Sequence, residues 1–226
     1  MGWIDPVDSY ALPPRLSDPE PLDVWAGVFE KASASRWELF DTAVPQCELD
    51  LDGCEVIEIE NSTLDGVTFI GHTTTRFSMS RSAVVGCDLS RARFVSLRNV
   101  RFVGCKLVGA DFALADLLDV SFERCVLRLV NLRTAKLRRV QFLECTLHDV
   151  DADDLDAEDV SFASSDLEKF NIDRLRARRV DLRGTRQLLL EHVGALNGCL
   201  ITDDQLLGLS YQLAFAAGLD IERQSE

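Results

Sequence analysis

Phe102 to Leu127 reads FVGCKLVGADFALADLLDVSFERCVL, and every fifth residue of it is large and apolar: Phe102, Leu107, Phe112, Leu117, Phe122 and Leu127. The series runs from Leu97 to Leu182 without a polar member, continuing through Leu132, Leu137, Phe142, Leu147, Ala152, Ala157, Phe162, Leu167, Ile172 and Ala177. Two residues before each stands a second inward candidate. That series runs Val100, Cys105, Ala110, Ala115, Val120, Cys125 and onward to Val180, and Ser165 is its one polar member.

A repeat of five fits neither the 3.6-residue period of a helix nor the two-residue alternation of a strand. Self-similarity at a fixed short period is the mark of a solenoid. If each unit makes one side of a square, four units close a coil of twenty residues, and the sequence carries that second period. Phe102, Phe122, Phe142 and Phe162 form one column, and Leu107, Leu127, Leu147 and Leu167 form the next, beside Cys105, Cys125, Cys145 and Ser165. Where the central residue shrinks to Ala157 or Ala177, its neighbour grows to Leu155 or Leu175, as a close-packed interior requires. The expected fold is an all-β solenoid, a right-handed quadrilateral β-helix with these phenylalanines and leucines as its structural core.

Upstream, Leu49, Cys54, Ile59, Leu64, Phe69, Thr74, Met79, Val84, Leu89 and Phe94 keep the spacing, with poorer fits at Asp52, His72 and Thr74. The step from Phe94 to Leu97 is short by two residues, so a kink, bulge or small loop is expected near 94 to 99, and a second near 71 to 76. Both registers together give about seven coils and, at the ~4.8 Å spacing of stacked strands, a rod roughly 30 to 35 Å long. Open solenoid ends need covers. Ser17-Asp18-Pro19-Glu20 reads as a helix start with a capping box, followed by an apolar stripe of Leu22, Trp25, Val28 and Phe29. Thr202-Asp203-Asp204-Gln205 reads as a second capping box, opening a helix that stops at Gly218. The chain therefore divides into an N-terminal extension and helical cap (1–36), the solenoid (37–186) and a C-terminal cap (187–226).

The 226 residues hold no run of about 18 apolar residues that would suggest a membrane span, and the start has no basic region followed by an apolar core. The chain reads as cytoplasmic. Its seven cysteines include no CxxC pair and are odd in number, which favours reduced thiols over a disulfide framework. Cys105, Cys125 and Cys145 fit an internal column better than a metal site. His72, His148 and His192 have no ligand or triad spacing, and no phosphate-cradling glycine motif is present. No catalytic residue, metal or cofactor is expected.

Units such as Cys105-Lys106-Leu107, Ala110-Asp111-Phe112, Ala115-Asp116-Leu117 and Val130-Asn131-Leu132 resemble the A(D/N)LXX pattern of the pentapeptide repeat protein family, strongly from about Leu97 to Arg186. The segment from Gly198 to Leu219 is similar to the C-terminal module of the mycobacterial and Qnr-type fluoroquinolone-resistance branch of that family. The resemblance implies a homodimer through the C-terminal helix, where Leu206, Leu209 and Leu213 form one apolar line and Leu207, Tyr211 and Ala214 another. It also implies DNA gyrase or topoisomerase IV as partner, met by a rod that mimics DNA.

Charge tests that implication. The net charge is −14, but residues 1–90 carry 16 acidic and 5 basic residues, residues 91–186 carry 16 and 18, and residues 187–226 carry 6 and 1. The most regular segment is thus not acidic. Its conspicuous run from Asp149 to Asp159 falls into columns of alternating sign at the coil period: Asp119, Arg139, Asp159, Arg179, and Asp116, Lys136, Asp156, Arg176. Arg138, Glu158 and Arg178 alternate likewise, and all read as ion-pair ladders between coils. The acids facing neutral residues twenty positions on are Glu48, Asp50, Asp52, Glu55, Glu58, Glu60 and Asp65. They are the candidate partner-binding face. Three functions stay open: a topoisomerase-protecting DNA mimic that does not itself bind nucleic acid, a scaffold for another protein, and an enzyme.

Overall fold

The computed structural model describes residues 30–33, 35–72 and 75–220. The N-terminal helix expected from Ser17 onward lies outside them. Within them the chain winds a four-sided β-solenoid of about eight turns, followed by one α-helix, Asp203–Ala216. Consecutive coils pair in parallel with equivalent residues twenty apart: Leu117 lies opposite Leu137, Val120 opposite Val140 and Phe122 opposite Phe142.

The four sides follow from the five-residue unit. Asp116–Glu123, Lys136–Leu143 and Asp156–Ala163 each bend round a corner and supply two sides of their coil. A third side is made by Val126–Arg128, Thr146–Asp151, Asp166–Asn171 and Gln187–Glu191. Short turns and isolated bridges such as Asp111 to Asn131 make the fourth. At most corners the residue two beyond the central one takes a left-handed conformation. One corner column is Asn99, Asp119, Arg139, Asp159 and Arg179, with φ of 56°, 56°, 52°, 55° and 54°.

The interior is the expected one. Phe102, Phe122, Phe142 and Phe162 are buried, and their rings stack nearly parallel at 4.9, 5.0 and 4.8 Å between neighbouring centroids, a favourable aromatic arrangement. Leu107, Leu127, Leu147 and Leu167 are likewise at most 1% exposed. Ser165, the polar member of the inner series, is satisfied: its hydroxyl lies between the Phe142 and Ala163 carbonyls and accepts the Cys145 N–H at 3.0 Å. Cys105, Cys125 and Cys145 are buried free thiols, each within reach of a backbone carbonyl, Cys145 of Phe122 at 3.3 Å.

The register slip is a β-bulge. Phe94 sits opposite Phe77 and Ser96 opposite Ser78, leaving Val95 unpaired and 42% exposed. The second irregular stretch, near 71 to 76, includes residues outside those described. At the far end the pairing offset grows by one residue, Asp166 lying opposite Gln187. That insertion falls at the Gly184 turn, where a Cβ would meet the Phe162 carbonyl oxygen at 3.0 Å. Cys199–Leu200 then pairs with Val180 and Asp181, and stacking carries on past residue 186. At Gly198, with φ of 85°, a Cβ would lie 2.1 Å from the Ala177 oxygen, so no other residue fits there.

The first coil is met by strand Glu30–Ser33, which pairs antiparallel with Arg36–Phe40. At the other end the helix opens on the expected capping box: Thr202 Oγ1 accepts the Gln205 N–H and Gln205 Oε1 accepts the Thr202 N–H. The Gln205 amide also donates to the Leu182 carbonyl and to Thr185 Oγ1, both at 2.8 Å, which ties the helix to the last coil.

Candidate partner-binding surfaces

Most polar side chains on the rod hold the rod together. The aspartates and asparagines of the repeat unit fold back on their own turns. Asp111 accepts the N–H of Ala113, Asn131 that of Arg133, Asp151 that of Asp153 and Asn171 that of Asp173, at 3.0 to 3.1 Å. Such local bonds are why Asp and Asn favour turns. The column is also cross-linked, since Asn131 and Asn171 donate their amides to Asp111 and Asp151.

Two of the ladders form as read, but in the column of Asp116, Lys136, Asp156 and Arg176 the expected pairs do not form, and Lys136 makes no ion pair among the described residues. Arg139 holds Asp119 and Arg179 holds Asp159, each through two nitrogens. Arg178 reaches Glu158 at 2.5 Å. In the second column the pairing is diagonal: Arg98 takes Asp116, Arg138 takes Asp156, and Arg176 takes Asp154. The Arg179 hydrogen bond holds the Asp159 carboxyl below its ordinary pKa, and the Arg138 hydrogen bond does the same for Asp156. Asp153, 5% exposed, is held by Arg133 and Arg174. The acidic run from Asp149 to Asp159 is therefore largely absorbed by structure. Among the described residues, no group of three or more His, Cys, Asp or Glu side chains could hold a metal.

The seven candidate acids are brought onto adjacent coil sides but not onto one face. Glu48 and Asp50 project from strand Glu48–Asp50, Asp52 and Glu55 lie at the turn after it, Glu58 and Glu60 on strand Val56–Glu60, and Asp65 on Thr63–Asp65. They belt a coil instead of running along the rod. Two of them are not free, because Glu58 accepts Arg36 at 2.7 Å and Glu60 pairs with Arg81. Their cations sit 22 and 21 positions away, diagonal neighbours that an exact twenty-residue comparison passes over. Asp50 also accepts the Asp52 N–H. Among the described residues no ion pair forms at Glu48, Asp50, Asp52, Glu55 or Asp65, and all five are exposed.

On the C-terminal helix the five apolar candidates separate. Leu209 is buried and Leu213 packs against the core. Leu206, Leu207 and Tyr211 are 48%, 72% and 64% exposed. Phe215, 80% exposed, was passed over in the sequence, although it lies one turn beyond Tyr211 on the same face. Tyr211 and Phe215 border a groove against the last coil lined also by Arg174 and His192. No helix among the described residues is long and apolar enough to cross a membrane.

Comparison with known proteins agrees with the repeat reading. The family description "Pentapeptide repeat region" matches residues 95–172. No curated protein matched. Among solved structures, trypsin-treated QnrB1, a plasmid-mediated fluoroquinolone resistance protein, is 17% identical, with 82% of this chain and 92% of that one covered and a TM-score of 0.48. Full-length QnrB1 is 20% identical, with 78% and 99% covered and a TM-score of 0.43. HetL, a pentapeptide repeat protein involved in heterocyst differentiation regulation from the cyanobacterium Nostoc, is 17% identical, with 75% and 86% covered and a TM-score of 0.24. Likeness at this level does not extend to function.

Proposed function

Since the chain is a pentapeptide repeat protein, we propose that it is a non-enzymatic cytoplasmic rod that binds DNA gyrase or topoisomerase IV and shields it from quinolones or other topoisomerase poisons. The supporting observation is the cluster of exposed acids without ion pairs, Glu48, Asp50, Asp52, Glu55 and Asp65, at the N-terminal coils. An enzyme that grips duplex DNA senses phosphate charge above all, and uncompensated carboxylates on a rigid rod can occupy such a basic track. In this reading the rod works as a homodimer, joined through the exposed side of the C-terminal helix at Leu206, Leu207, Tyr211 and Phe215.

The test is DNA supercoiling by a bacterial gyrase, with and without ciprofloxacin, across a titration of the protein. Rescue of the drug-inhibited reaction, or inhibition at higher protein concentration, is expected. The quadruple variant Glu48→Gln, Asp50→Asn, Asp52→Asn and Glu55→Gln should lose that effect while keeping its fold. A second reading, a scaffold for a different protein, is favoured because the acids without ion pairs are concentrated at the N-terminal coils and not spread along the rod. No effect of the wild-type chain on several gyrases and topoisomerase IV would establish that second reading in place of the first.

A further inference from the structure

Two turns of the rod are built alike and differ in one side-chain group. The turns from Leu51 to Cys54 and from Leu196 to Cys199 are each closed by the cysteine N–H donating to the leucine carbonyl, at 2.8 and 3.0 Å. Each has a left-handed glycine in third place, Gly53 with φ of 76° and Gly198 with φ of 85°. Before the glycine stands Asp52 in the first and Asn197 in the second, both exposed. Among the described residues no hydrogen bond forms at the N–H of Gly53 or Gly198, or at the carbonyl of Asp52 or Asn197. The central peptide of either turn can therefore rotate without breaking a bond. Elsewhere the corresponding N–H is tied into the coil stack: Gly66, after Asp65, donates to the Val85 carbonyl at 2.8 Å, and Ser62, after Asn61, donates to Ser82 Oγ at 3.1 Å. The other asparagines, Asn99, Asn131 and Asn171, each precede a branched apolar residue.

We propose that Asn197 and Gly198 form a site of spontaneous covalent modification, at which the Gly198 nitrogen attacks the side-chain amide of Asn197. The bond from the Gly198 nitrogen to Asn197 Cγ forms as the Cγ–Nδ2 bond breaks, and ammonia leaves with the proton that the nitrogen gives up. Water then opens the cyclic imide at either carbonyl. Opening at Cγ yields aspartate; opening at the main-chain carbon yields isoaspartate, whose backbone runs through the side chain and is one carbon longer. Glycine leaves the path of attack clear and lets the peptide turn. An N–H engaged in a hydrogen bond keeps the proton that must depart, which protects Asn61 and Asp65. Asp52 shares the open turn, but its carboxylate is a far poorer electrophile than an amide at neutral pH. Position decides the consequence. Gly198 passes so close to the Ala177 oxygen that no Cβ fits, and its carbonyl accepts the Val180 N–H at 3.2 Å. Cys199 and Leu200 then pair with Val180 and Asp181, and Thr202 caps the helix directly after them. A main chain one carbon longer at position 197 cannot keep both the closed turn and this register. The isoaspartyl form therefore unseats the last strand and loosens the helix Asp203–Ala216.

The experiment holds the full chain at 37 °C and pH 8.5 and follows its peptides by mass spectrometry with electron-transfer fragmentation, which separates aspartate from isoaspartate. Asn197 should convert severalfold faster than any other asparagine and than Asp52 isomerises, with isoaspartate the major product. In the converted protein, amide hydrogen exchange across Asp203–Ala216 should quicken severalfold while Lys136–Leu143 keeps its protection. Asn197→Gln, which must close a larger ring, should show neither change. Asn197→Asp gains the charge without the extra carbon, and when fresh it should exchange as slowly as wild type. An Asn197 that persists as long as Asn61 would overturn the site. Equal helix exchange before and after conversion, or fast exchange in fresh Asn197→Asp, would overturn the consequence assigned to the longer backbone.

Discussion

The corner residue is where this chain departs from what a repeat motif shows. A left-handed conformation costs a non-glycine residue roughly 1 to 2 kcal/mol, yet the corners are held by Asp119, Arg139, Asp159 and Arg179 in one column and by Leu114, Thr134, Asp154 and Arg174 in another. In the first column the side chains give something back, because Arg139 and Arg179 clamp Asp119 and Asp159. Leu114 returns nothing of the kind: its φ is 63° and its side chain is 77% exposed. Leu114→Gly should therefore raise stability by up to about 1 kcal/mol, the relief of strain being offset in part by glycine's greater freedom in the unfolded chain. Leu114→Ala keeps the strained backbone and should leave stability unchanged or slightly lower. Urea denaturation midpoints decide it, and a midpoint for Leu114→Gly below that for Leu114→Ala would mean that the corner stores less strain than glycine's freedom in the unfolded chain costs.

The ladders are weak singly and matter as a set. The Asp159 carboxylate is stabilised by Arg179, so its pKa in the folded protein lies below that in the unfolded chain. Its contribution is then present in full above the unfolded value of about 3.9 and is lost as pH falls through the lower folded value. Arg179 is 57% exposed, and screening by solvent limits such a pair to under about 1 kcal/mol. Arg179→Met should cost that much at pH 7 and low salt, and the gap to wild type should close in acid, as pH falls through the lowered folded value, and in 0.5 M salt. A gap that persists in acid would assign the loss to packing of the arginine stem. The inner columns and the Arg139 and Arg179 rungs were legible because both follow the twenty-residue period. The partners of Glu58 and Glu60 were not, since Arg36 and Arg81 approach them diagonally from neighbouring coils. Nor was the eighth turn, because one inserted residue near Gly184 breaks the five-residue count just before Gln187–Glu191 rejoins the stack. Left-handed corners left no mark in the sequence, as most of them lack glycine.

At the scale of the whole rod, each coil is supported only by its neighbours, so the ends set both solubility and assembly. The C-terminal helix closes its end with Leu209 and Leu213 while Leu206, Leu207, Tyr211 and Phe215 remain toward solvent. Exposed apolar side chains grouped this way mark a contact surface, and the two inward leucines are already committed to the protomer. The two sets therefore make opposite predictions. Leu207→Glu with Phe215→Glu should convert the proposed dimer to a monomer in light scattering without moving the melting temperature, because neither side chain is part of the core. Leu213→Glu should lower the melting temperature, since it drives a charge against the packed end of the solenoid; any loss of dimer would then follow from the loosened helix. A double variant that remains dimeric would put the contact elsewhere on the rod, and would leave the exposed helix side to a different partner.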